Sequence, residues 1–492
     1  MARYLTTTLP YVNADPHIGF ALELVEADAL ARSWRAQGEE VFFTTGTDEH
    51  GQKILKAAEA AGESVADYTD RYAGQFEKLK AALLLANDAF IRTTEPRHYA
   101  AAQELWRRCD AAGDIYKKKY RGLYCVGDEA YVKESDLVDG KCPNHPTLDL
   151  VEIEEENYFF RLSAYQDRLL GYLERTDCIV PDWRRQEAIN FVRAGLEDFS
   201  ISRDKARMSW GVPVPGDDAQ VMYVWFDALA NYISTLGWPA DEEGNFKKFW
   251  EEGRTLQVAG KDQVRFQSVM WQAMLMSAAI KTTDQVFYHG FITSGGTKMS
   301  KSIGNVISPY ELVEKYGTEA TRYLLLRHVH PTEDSDVTWE RMDEWYTADL
   351  VNGLGNVVAR ITKMAEDNLD KPASVQEVTF KRIAETRALH HVSEDMRLNF
   401  SLGEALDNFE FYRAMGLIWS YIQALDERIT AEEPFKLIKT DSSRGKELIT
   451  QLVKELHAVG MMLEPFMPTT SKSIIAAVNQ NMKPENLFPR LA

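Results

Sequence analysis

The sequence predicts an α/β protein in which a parallel sheet is interrupted by an insertion and followed by a helical bundle. Three observations lead to this fold class. Short β-rich runs alternate with helical patterns in two separate parts of the chain, which is typical of a parallel sheet. Between these parts, aromatic and charged residues mix with turn-rich stretches. After about residue 347 the pattern is mostly helical, which predicts a bundle.

The first α/β part has β-rich runs at residues 3–9, 40–45 and 89–92. We expect one helix to begin near Phe20 and another near Pro96, because proline favours the first turn of a helix. After the insertion the α/β pattern resumes with runs such as LQVAGKDQVRF. These runs predict one sheet that is built from two separate stretches of the chain.

Composition excludes several classes of protein. We find no apolar run of about 18 residues and no secretory leader, so we expect neither a membrane protein nor a secreted one. The net charge of −19 argues against a general attraction to nucleic acids. The 4 cysteines are too few for a disulfide framework, which fits a reducing cytosol. Cys109 and Cys178 lie in helical patterns and are expected to be buried.

A candidate phosphate site lies in the stretch LPYVNADPHIGF, where His17 and Gly19 fall between a predicted strand and a predicted helix. Free backbone amides at a helix N-terminus favour an anion, and glycine permits its close approach. The imidazole can donate a hydrogen bond to a phosphate oxygen. An ordinary loop histidine is the alternative, because so short a motif has little specificity.

A second candidate lies in the stretch SGGTKMSKSIGN at residues 294–305. Here Lys298 and Lys301 lie with two serines in a loop that is flanked by glycines and can therefore move. Ammonium groups that reach a triphosphate by loop closure stabilise the charge that develops on departing pyrophosphate. A solvated basic turn is the alternative.

Together, the two motifs resemble the signature sequences of the class I aminoacyl-tRNA synthetases. The stretches GTDEHG at 46–51, YVWFDALANYI at 223–233 and GKDQVRFQ at 260–267 are similar to the methionyl-tRNA synthetase family within that class. The isoleucyl, valyl and leucyl relatives carry a much longer inserted domain, whereas the insertion here has about a hundred residues. The resemblance therefore points to methionine.

The resemblance implies an α/β Rossmann-like class I synthetase catalytic domain with an inserted connective domain, plus a C-terminal α-helical bundle. The catalytic domain would comprise residues 1–113 and 221–285, with the connective domain at 114–220 between them. The lysine loop and a stem-contact segment would occupy 286–346, and an anticodon-binding bundle would occupy 347–492.

The resemblance also implies a methionine pocket. Leu9 and Tyr11 would lie in it, and Asp48 would face the substrate ammonium group, which a carboxylate fixes by charge-assisted hydrogen bonds. Aromatic walls suit a thioether, since contacts between sulfur and rings add to burial. Core packing is the alternative for the aromatic residues. The other implied pocket residues are Trp225, Ala228, Tyr232, Phe266 and Gln267.

An ATP site follows from the same resemblance, with residues for the ribose, the adenine and the phosphates. We expect in-line attack of the methionine carboxylate on the α-phosphorus, which gives methionyl-adenylate and pyrophosphate. The terminal ribose of tRNA(Met) then accepts the methionyl group, and Mg²⁺ accompanies ATP. The implied residues are His17, Gly19, Gly260, Asp262, Ile292, Lys298 and Lys301, of which His17, Lys298 and Lys301 face the phosphates.

Three positions depart from the family pattern. Phe20 stands where the family usually has a second histidine, which puts the rate in question. Gln267 also replaces a usual histidine, although glutamine still donates and accepts hydrogen bonds. The third is Asp128, in the set Cys125, Asp128, Cys142 and His145, where zinc-bearing relatives have cysteine. This set either binds Zn²⁺ or forms a knuckle that packing alone holds together.

Asn356 and Arg360 are one helical turn apart, so they share a face. They match family residues that read the anticodon, and Phe435 offers a stacking face where the family usually has tryptophan. Burial in the bundle is the alternative for Phe435. We find no appended oligonucleotide-binding module after the bundle, so we expect a monomer. We also expect the protein to be cytoplasmic and to bind tRNA(Met).

Two other functions stay open at this point. Another nucleotidyl-transfer enzyme would share the His-x-Gly motif and the lysine loop but would not need the bundle with Asn356 and Arg360. A catalytically impaired tRNA-binding or regulatory relative is suggested by Phe20 and Gln267, whereas Asp48 and the complete lysine loop argue against it.

Overall fold

The structure is a computed structural model that describes residues 1–126, 130–132, 136–143, 146–299, 305–375, 380–381 and 401–491. The strands are β1 (Ala2–Thr6), β2 (Glu40–Thr47), β3 (Ala89–Arg92), β4 (Ile115–Cys125), β5 (Ala130–Val132), β6 (Val151–Phe160), β7 (Ile179–Val180), β8 (Phe199–Ser200), β9 (Ser202–Asp204), β10 (Pro213–Val214), β11 (Asp217–Met222), β12 (Arg254–Gly260), β13 (Gln285–His289), β14 (Ile292–Ser294), β15 (Thr297–Lys298) and β16 (Ser335–Asp336).

The helices up to residue 345 are α1 (Ile18–Ala36), α2 (Gln52–Ala61), α3 (Val65–Ala82), α4 (Pro96–Ala111), α5 (Gln166–Leu173), α6 (Asp182–Arg193), α7 (Val224–Leu229), α8 (Asn231–Ser234), α9 (Trp271–Ser277), α10 (Pro309–Tyr316), α11 (Thr318–His328) and α12 (Trp339–Trp345). They are followed by α13 (Asn356–Asn368), α14 (Leu402–Asp407), α15 (Phe411–Glu432), α16 (Pro434–Thr440), α17 (Ser442–Met462) and α18 (Pro468–Gln480). Short 3₁₀ or π turns cover Leu162–Tyr165, Glu242–Glu251, Lys261–Gln263, Phe266–Met270 and Tyr346–Gly355.

The chain forms two compact units. Unit 1 comprises Met1–Pro16, Phe42–Leu79 and Asn87–Tyr288, and unit 2 comprises His17–Val41, Lys80–Ala86 and His289–Ala492. In the described residues of the chain we find no helix that combines the length and the hydropathy needed to cross a membrane.

Unit 1 contains a six-stranded sheet with the strand order β3-β2-β1-β12-β13-β7. The pairs β1–β12, β2–β3 and β13–β7 are parallel, as the alternation of strands and helices predicts. From β1 the chain adds β2 and β3 on one side of the sheet and later adds β12 and β13 on the other. Open α/β sheets bind their ligands at such a reversal, beyond the carboxyl ends of the strands.

The predicted strands of the first α/β part are confirmed, with shifted ends. β3 has the predicted bounds, and β2 continues to Thr47. β1 ends at Thr6, three residues before the predicted end. Proline at position 10 has no amide hydrogen to continue a sheet ladder, so the segment that leaves β1 is an irregular loop at the edge of the sheet.

The range predicted for the insertion contains a four-stranded sheet, β5-β4-β6-β8, and the three-stranded sheet β10-β11-β9. The same range contains β7, which belongs to the six-stranded sheet. Cys178 lies directly before β7, so its predicted helix is wrong, although Cys178 and Cys109 are both buried as expected. The domain boundaries stay predictions.

Unit 2 contains α1, the small sheet β15-β14-β16 and the helices from α10 onward. The predicted helix near Phe20 is confirmed as α1, and 15 of its 19 residues are buried. Asp28 of α1 binds Arg322 of α11 at 2.8 Å, and both side chains are fully buried. Arg322 also donates to the carbonyls of Leu83 and Phe466, so this buried pair fixes the helix that begins directly after His17.

Candidate active site

The implied carboxylate, Asp48, lies directly after β2 at the carboxyl edge of the sheet in unit 1. Its backbone pairs with the segment that follows β1: the amide of Asp48 donates to the Pro10 carbonyl at 3.0 Å, and the amide of Val12 donates to the Asp48 carbonyl at 3.2 Å. Asp48 is 3% exposed. The sheet therefore holds Tyr11 and Asp48 side by side, as paired residues of a parallel bridge.

The implied aromatic wall is assembled in the same unit. The Trp225 and Phe266 rings are stacked, with centroids 3.7 Å apart and an angle of 10° between their planes. Tyr11 meets Trp225 edge to face, with centroids 6.2 Å apart. Trp225 lies on α7, while Phe266 begins a π turn, a local widening of a helix that is frequent at functional sites.

A second part of the pocket joins Tyr232 to Gln267. The Gln267 Nε2 donates to the Tyr232 hydroxyl at 2.6 Å, and both side chains are buried. Ala228 is buried on α7, and Leu9 is half-buried in the loop after β1.

The implied ribose residues lie at the end of β12, next to β1 in the sheet. Gly260 is the last residue of the strand and is buried. Asp262 lies in the following 3₁₀ turn, is exposed, and accepts a hydrogen bond from Gln263 at 3.2 Å. An exposed carboxylate at the carboxyl edge of a parallel sheet is well placed to bind sugar hydroxyls.

In unit 2, His17 is the N-cap of α1 and its side chain is exposed. The His17 Nδ1 accepts a hydrogen bond from the Gly19 amide at 3.0 Å. The neutral ring therefore carries its proton on Nε2, which is the donor that a phosphate oxygen needs. A Cβ at position 19 would lie 2.9 Å from the His17 Cε1, so glycine is required for this ring position.

The prediction of free amides at this helix N-terminus is wrong. The amide of Ile18 donates to the Ile307 carbonyl at 3.0 Å, and that of Gly19 is used by the His17 ring. Phe20 and Ala21 donate to the His17 carbonyl at 3.1 and 3.2 Å. An anion here would be bound by the imidazole and by the helix dipole, not by vacant amides.

The stretch predicted to carry the lysine loop begins in the β14–β15 hairpin of unit 2. Gly295 and Gly296 form its turn with φ of +64° and +74°, a region that favours glycine. The Gly296 amide donates to Asp336 at 2.7 Å, and Asn305 donates to Thr297 at 3.1 Å. Both flanks of residues 300–304 are thus anchored by hydrogen bonds.

The other implied residues of this segment are placed only in part. Ile292 begins β14 and its side chain is buried. The backbone of Lys298 ends β15. The Lys298 side chain, and Lys301 as a whole, lie outside the described residues.

The sequence analysis did not identify the buried carboxyl groups Glu23 and Glu26 of α1 or their neighbour His289. Burial alone would lower the pKa of His289, but the hydrogen bond that its Nε2 donates to the Glu23 carboxylate at 2.9 Å, together with the charge of that carboxylate, raises the pKa to about 9. Burial raises the pKa of Glu26 to about 8. At neutral pH, His289 is therefore the charged partner of Glu23, while Glu26 keeps its proton.

A second missed group lies in unit 1, around Asp227 of α7. Its carboxylate binds His50 and His98, each at 2.6 Å, and all three side chains are fully buried. Two of these residues stand inside motifs that the sequence analysis quoted, GTDEHG and YVWFDALANYI. A histidine and an aspartate inside such motifs were the only signal that could have found them.

The structure describes two of the four candidate zinc ligands. Cys125 ends β4, Cys142 follows the Val138–Lys141 bridge, and both thiols are buried and free of disulfides. Asp128 and His145 lie outside the described residues. Among the residues that the structure describes, no three His, Cys, Asp or Glu side chains form a group that holds a metal ion.

The implied anticodon residues are split between two positions. Arg360 and Phe435 line one groove of about 530 Å³ in unit 2, while Asn356 is exposed at the start of α13 and does not line it. Arg360 binds the Asp426 carboxylate, and Phe435 is 45% exposed, so Phe435 is not a core residue of the bundle. The full lining consists of Ala359, Arg360, Lys363, Met364, Asp367, Asn368, Ile429, Phe435, Ile438, Lys439 and Lys483.

Comparisons with known proteins identify the family of this chain. The family described as "tRNA synthetases class I (M)" matches residues 3–149 and 147–362. The methionine–tRNA ligase of Rhizobium meliloti (strain 1021) is 40% identical over 479 residues, which cover 96% of this chain and 91% of that protein. The methionine–tRNA ligase of Rickettsia bellii (strain RML369-C) is 38% identical over 492 residues, covering 99% and 94% of the two chains.

Solved structures give the same result. The methionyl-tRNA synthetase of Mycobacterium tuberculosis in complex with methionyl-adenylate matches with a TM-score of 0.87 and 36% identity, covering 100% of this chain and 99% of that one. Its apo form matches with a TM-score of 0.82. Both the sequence and the fold of this chain are therefore those of the methionyl-tRNA synthetase family of class I tRNA synthetases, and the chain belongs to that family.

Proposed function

We propose that this chain is a methionine–tRNA ligase. It activates methionine with ATP, forming methionyl-adenylate and pyrophosphate, and then transfers the methionyl group to the 3′-terminal ribose of tRNA(Met). The observation that carries this proposal is the arrangement at the sheet edge of unit 1, where the buried Asp48 is paired with Tyr11 and Tyr11 contacts the stacked Trp225–Phe266 wall.

Methionine is recognised at both of its ends. Asp48 accepts hydrogen bonds from the α-ammonium group, a charge-assisted contact that gains strength from the low dielectric of a buried site. Trp225 and Phe266 contact the thioether through their rings, and Tyr232, which is bonded to Gln267, lines the same pocket. Leucine, isoleucine and valine lack the sulfur, so they lose the specific contact between sulfur and the aromatic rings.

The remaining pocket residues shape this site. Leu9 and Ala228 supply apolar surface for the methylene groups of the substrate. Gln267 orients the Tyr232 hydroxyl through its 2.6 Å hydrogen bond. This bond takes over the orienting role that a histidine would have, which supports an active pocket rather than an impaired one.

Adenylate formation depends on positioning and on charge. The methionine carboxylate is ionised at neutral pH and needs no base. It forms a bond to the α-phosphorus of ATP while the bond from that phosphorus to the pyrophosphate oxygen breaks, so the negative charge moves to pyrophosphate. His17 Nε2 donates to the phosphates, and Lys298 and Lys301 neutralise the departing charge.

ATP is held by contacts to its other parts. Gly260 and Asp262 bind the ribose, while Gly19 and the Ile292 backbone meet the adenine. Mg²⁺ bound to ATP would neutralise part of the phosphate charge that otherwise repels the attacking carboxylate. In the second step the terminal ribose hydroxyl of tRNA attacks the carbonyl of the adenylate and releases AMP.

The anticodon is bound by the bundle of unit 2. Phe435 offers a stacking surface in the 530 Å³ groove, and Arg360, oriented by Asp426, reaches the edge of an unstacked base. Asn356 contacts a neighbouring base from the start of α13. A half-exposed aromatic ring beside a cation is the usual way in which single-stranded bases are bound.

Zinc binding by Cys125, Asp128, Cys142 and His145 is part of the proposal. Two buried thiols, one at the end of β4 and one after a tight turn, are suitable donors for Zn²⁺. The metal would stabilise this region and takes no part in the reaction. Metal analysis of the purified protein should give about one zinc per chain, and Cys142→Ser should lose it.

A cytoplasmic location and a monomeric state complete the proposal. All 4 cysteines are free thiols, which is the state that a reducing compartment maintains. Light scattering coupled to size exclusion measures the mass directly, and 56.0 kDa is the value expected for the monomer.

The exchange of pyrophosphate into ATP tests the proposed activation step. Methionine should support exchange, whereas leucine, isoleucine and valine should not. Asp48→Ala and Lys301→Ala should both abolish methionine-dependent exchange, whereas Asp177→Ala, an exposed aspartate of unit 1, should retain it. No exchange with any amino acid would overturn the proposal in favour of a tRNA-binding relative without catalysis.

A further inference from the structure

A buried polar network surrounds Asp227 in unit 1 and is not used by the chemistry above. The Asp227 Oδ2 accepts a hydrogen bond from the His50 Nδ1, and its Oδ1 accepts one from the His98 Nε2, both at 2.6 Å. The three side chains are fully buried. Burial alone would raise the pKa of Asp227, but the two imidazoles lower it to about 2. The carboxylate is therefore ionised and accepts from both rings.

The outer nitrogen of each imidazole is also bound. The His50 Nε2 lies 3.0 Å from the Tyr99 hydroxyl, whose pKa is raised to about 12 by burial and by Asp227, so Tyr99 keeps its proton. The His98 Nδ1 lies 3.1 Å from the Ser234 hydroxyl. Each ring therefore donates to Asp227 through one nitrogen and contacts a hydroxyl with the other, so both rings are held at both ends.

These bonds join separate elements. His50 lies in the loop after β2, His98 in the first turn of α4, Asp227 on α7 and Ser234 at the end of α8. In sequence, 177 residues separate His50 from Asp227. The network thus links the carboxyl edge of the sheet to two short helices.

Three of the four linked elements carry a residue of the proposed methionine pocket. Asp48 lies two residues before His50, Trp225 lies two residues before Asp227, and Tyr232 lies two residues before Ser234. The His50 amide lies 3.5 Å from the Asp48 Oδ1. The network therefore connects the three segments that carry Asp48, Trp225 and Tyr232 of the proposed pocket.

Glu49, between Asp48 and His50, is also held by several hydrogen bonds. Its carboxylate accepts from Thr47 at 2.7 Å, from Thr94 at 2.7 Å, and from the Arg92 guanidinium at 2.6 and 2.8 Å. Its carbonyl accepts from the Trp210 indole at 2.6 Å. Asp48 is therefore followed by two residues, Glu49 and His50, whose side chains are both held by hydrogen bonds.

We infer that His50 and His98 are positioning residues, which act through Asp227 to hold Asp48, Trp225 and Tyr232 in the arrangement that binds methionine. They touch neither substrate. This inference rests on the proposed methionine pocket. Since a buried carboxylate that loses one of two charge-assisted hydrogen bonds relaxes toward the other, loss of either imidazole shifts one wall of the pocket relative to the other.

The test separates this role from plain stability by a pair of variants at one position. His98→Leu removes the donor to Asp227, while His98→Gln keeps an amide donor within reach of it. In pyrophosphate exchange, His98→Leu should raise the methionine KM by about tenfold, the cost of one hydrogen bond to a charged group. Its ATP KM should stay within about twofold of wild type. His98→Gln should recover most of the loss.

Cys109→Ala is the matched control, because Cys109 is buried on the same helix, α4, about three turns away and outside the network. It should lower the melting temperature and leave the methionine KM unchanged. If His98→Leu fails to fold, Asp227→Asn replaces it, since its amide group forces one histidine to give up its donor tautomer.

The outcomes are distinct. An unchanged methionine KM in His98→Leu, a similar rise in the KM of ATP, or no recovery in His98→Gln would overturn the positioning role while wild-type exchange still supports the proposed function. Absence of methionine-dependent exchange in the wild type would instead remove both.

Discussion

Asp48 in unit 1 is almost completely buried, whereas His17 in unit 2 is exposed, although both are proposed to meet the substrates of one reaction. Asp48 lies in a segment held by backbone pairing and by the fully bonded Glu49. His17 is held by the N-terminal cap of its own helix. In the same unit, the β14–β15 hairpin turns on Gly295 and Gly296. The two regions are built for different tasks.

This difference separates recognition from chemistry. An amino acid is distinguished by a few groups, so a pocket gains selectivity when its walls are fixed before the substrate enters. Triphosphate chemistry needs charges that follow the departing group, so exposed and movable cations serve it better. Substitutions in the proposed methionine pocket of unit 1 should therefore change the methionine KM, and substitutions near His17 should change kcat.

The largest effect is expected for His17→Ala. Loss of a donor that acts on the developing phosphate charge should lower kcat of exchange by about 10²-fold to 10³-fold, with little change in methionine affinity. Steady-state exchange together with equilibrium methionine binding measures both quantities. A drop in methionine affinity of the same size would break the separation of the two regions.

Loss of stacking should give an effect of about tenfold. Phe435→Ala removes a half-exposed ring from the groove and should raise the KM of tRNA(Met) in aminoacylation, without changing pyrophosphate exchange. Phe435→Trp should restore the lower KM because it keeps a stacking face. Equal KM values for the two variants would place the anticodon elsewhere.

Gly19→Ala should have a smaller effect on kcat, about three- to tenfold. Its Cβ would lie 2.9 Å from the His17 ring and would displace the imidazole from its cap position. Gly74→Ala is the control, since a Cβ there meets nothing within 4 Å and alanine favours the helix α3. If both variants had wild-type kcat, the His17 ring position would not matter for the reaction.

The smallest effect concerns stability at acid pH. The folded pKa of Asp227 is lowered from 3.8 to about 2, so its ionised form stabilises the fold above pH 3.8 and loses that contribution as the pH falls toward 2. The contribution is about 2 kcal/mol. Unfolding of wild type and Asp227→Asn, followed between pH 6 and 3, should show a stability difference that shrinks with acid. A constant difference would contradict the ionised network.

The fold was largely predictable because its signals are local. Alternation of strands and helices predicted the parallel sheet, and β3 has the predicted bounds. Local signals failed where distant residues decide the structure. The Ile18 amide is bonded to the Ile307 carbonyl, which no helix pattern reveals, and Cys178 precedes the short strand β7, whose place depends on pairing with β13.

The proposed pocket residues were identified by resemblance to a family and not by chemistry alone. Trp225 and Phe266 are separated by 41 residues, and nothing in their spacing indicates a stacked pair. The Asp227 network was missed for the same reason, since its histidines come from two other elements. A buried aspartate in an apolar helix requires partners, and that requirement was the one physical signal available.

Equilibrium binding of methionine without ATP is the most direct test of the central claim that unit 1 recognises the amino acid through Asp48. Calorimetry should detect methionine binding to the wild type and a loss of about 10²-fold or more in Asp48→Asn, the cost of unpairing a buried charge. The affinity for ATP should be the same in both proteins. Equal methionine affinity in wild type and Asp48→Asn would contradict the account.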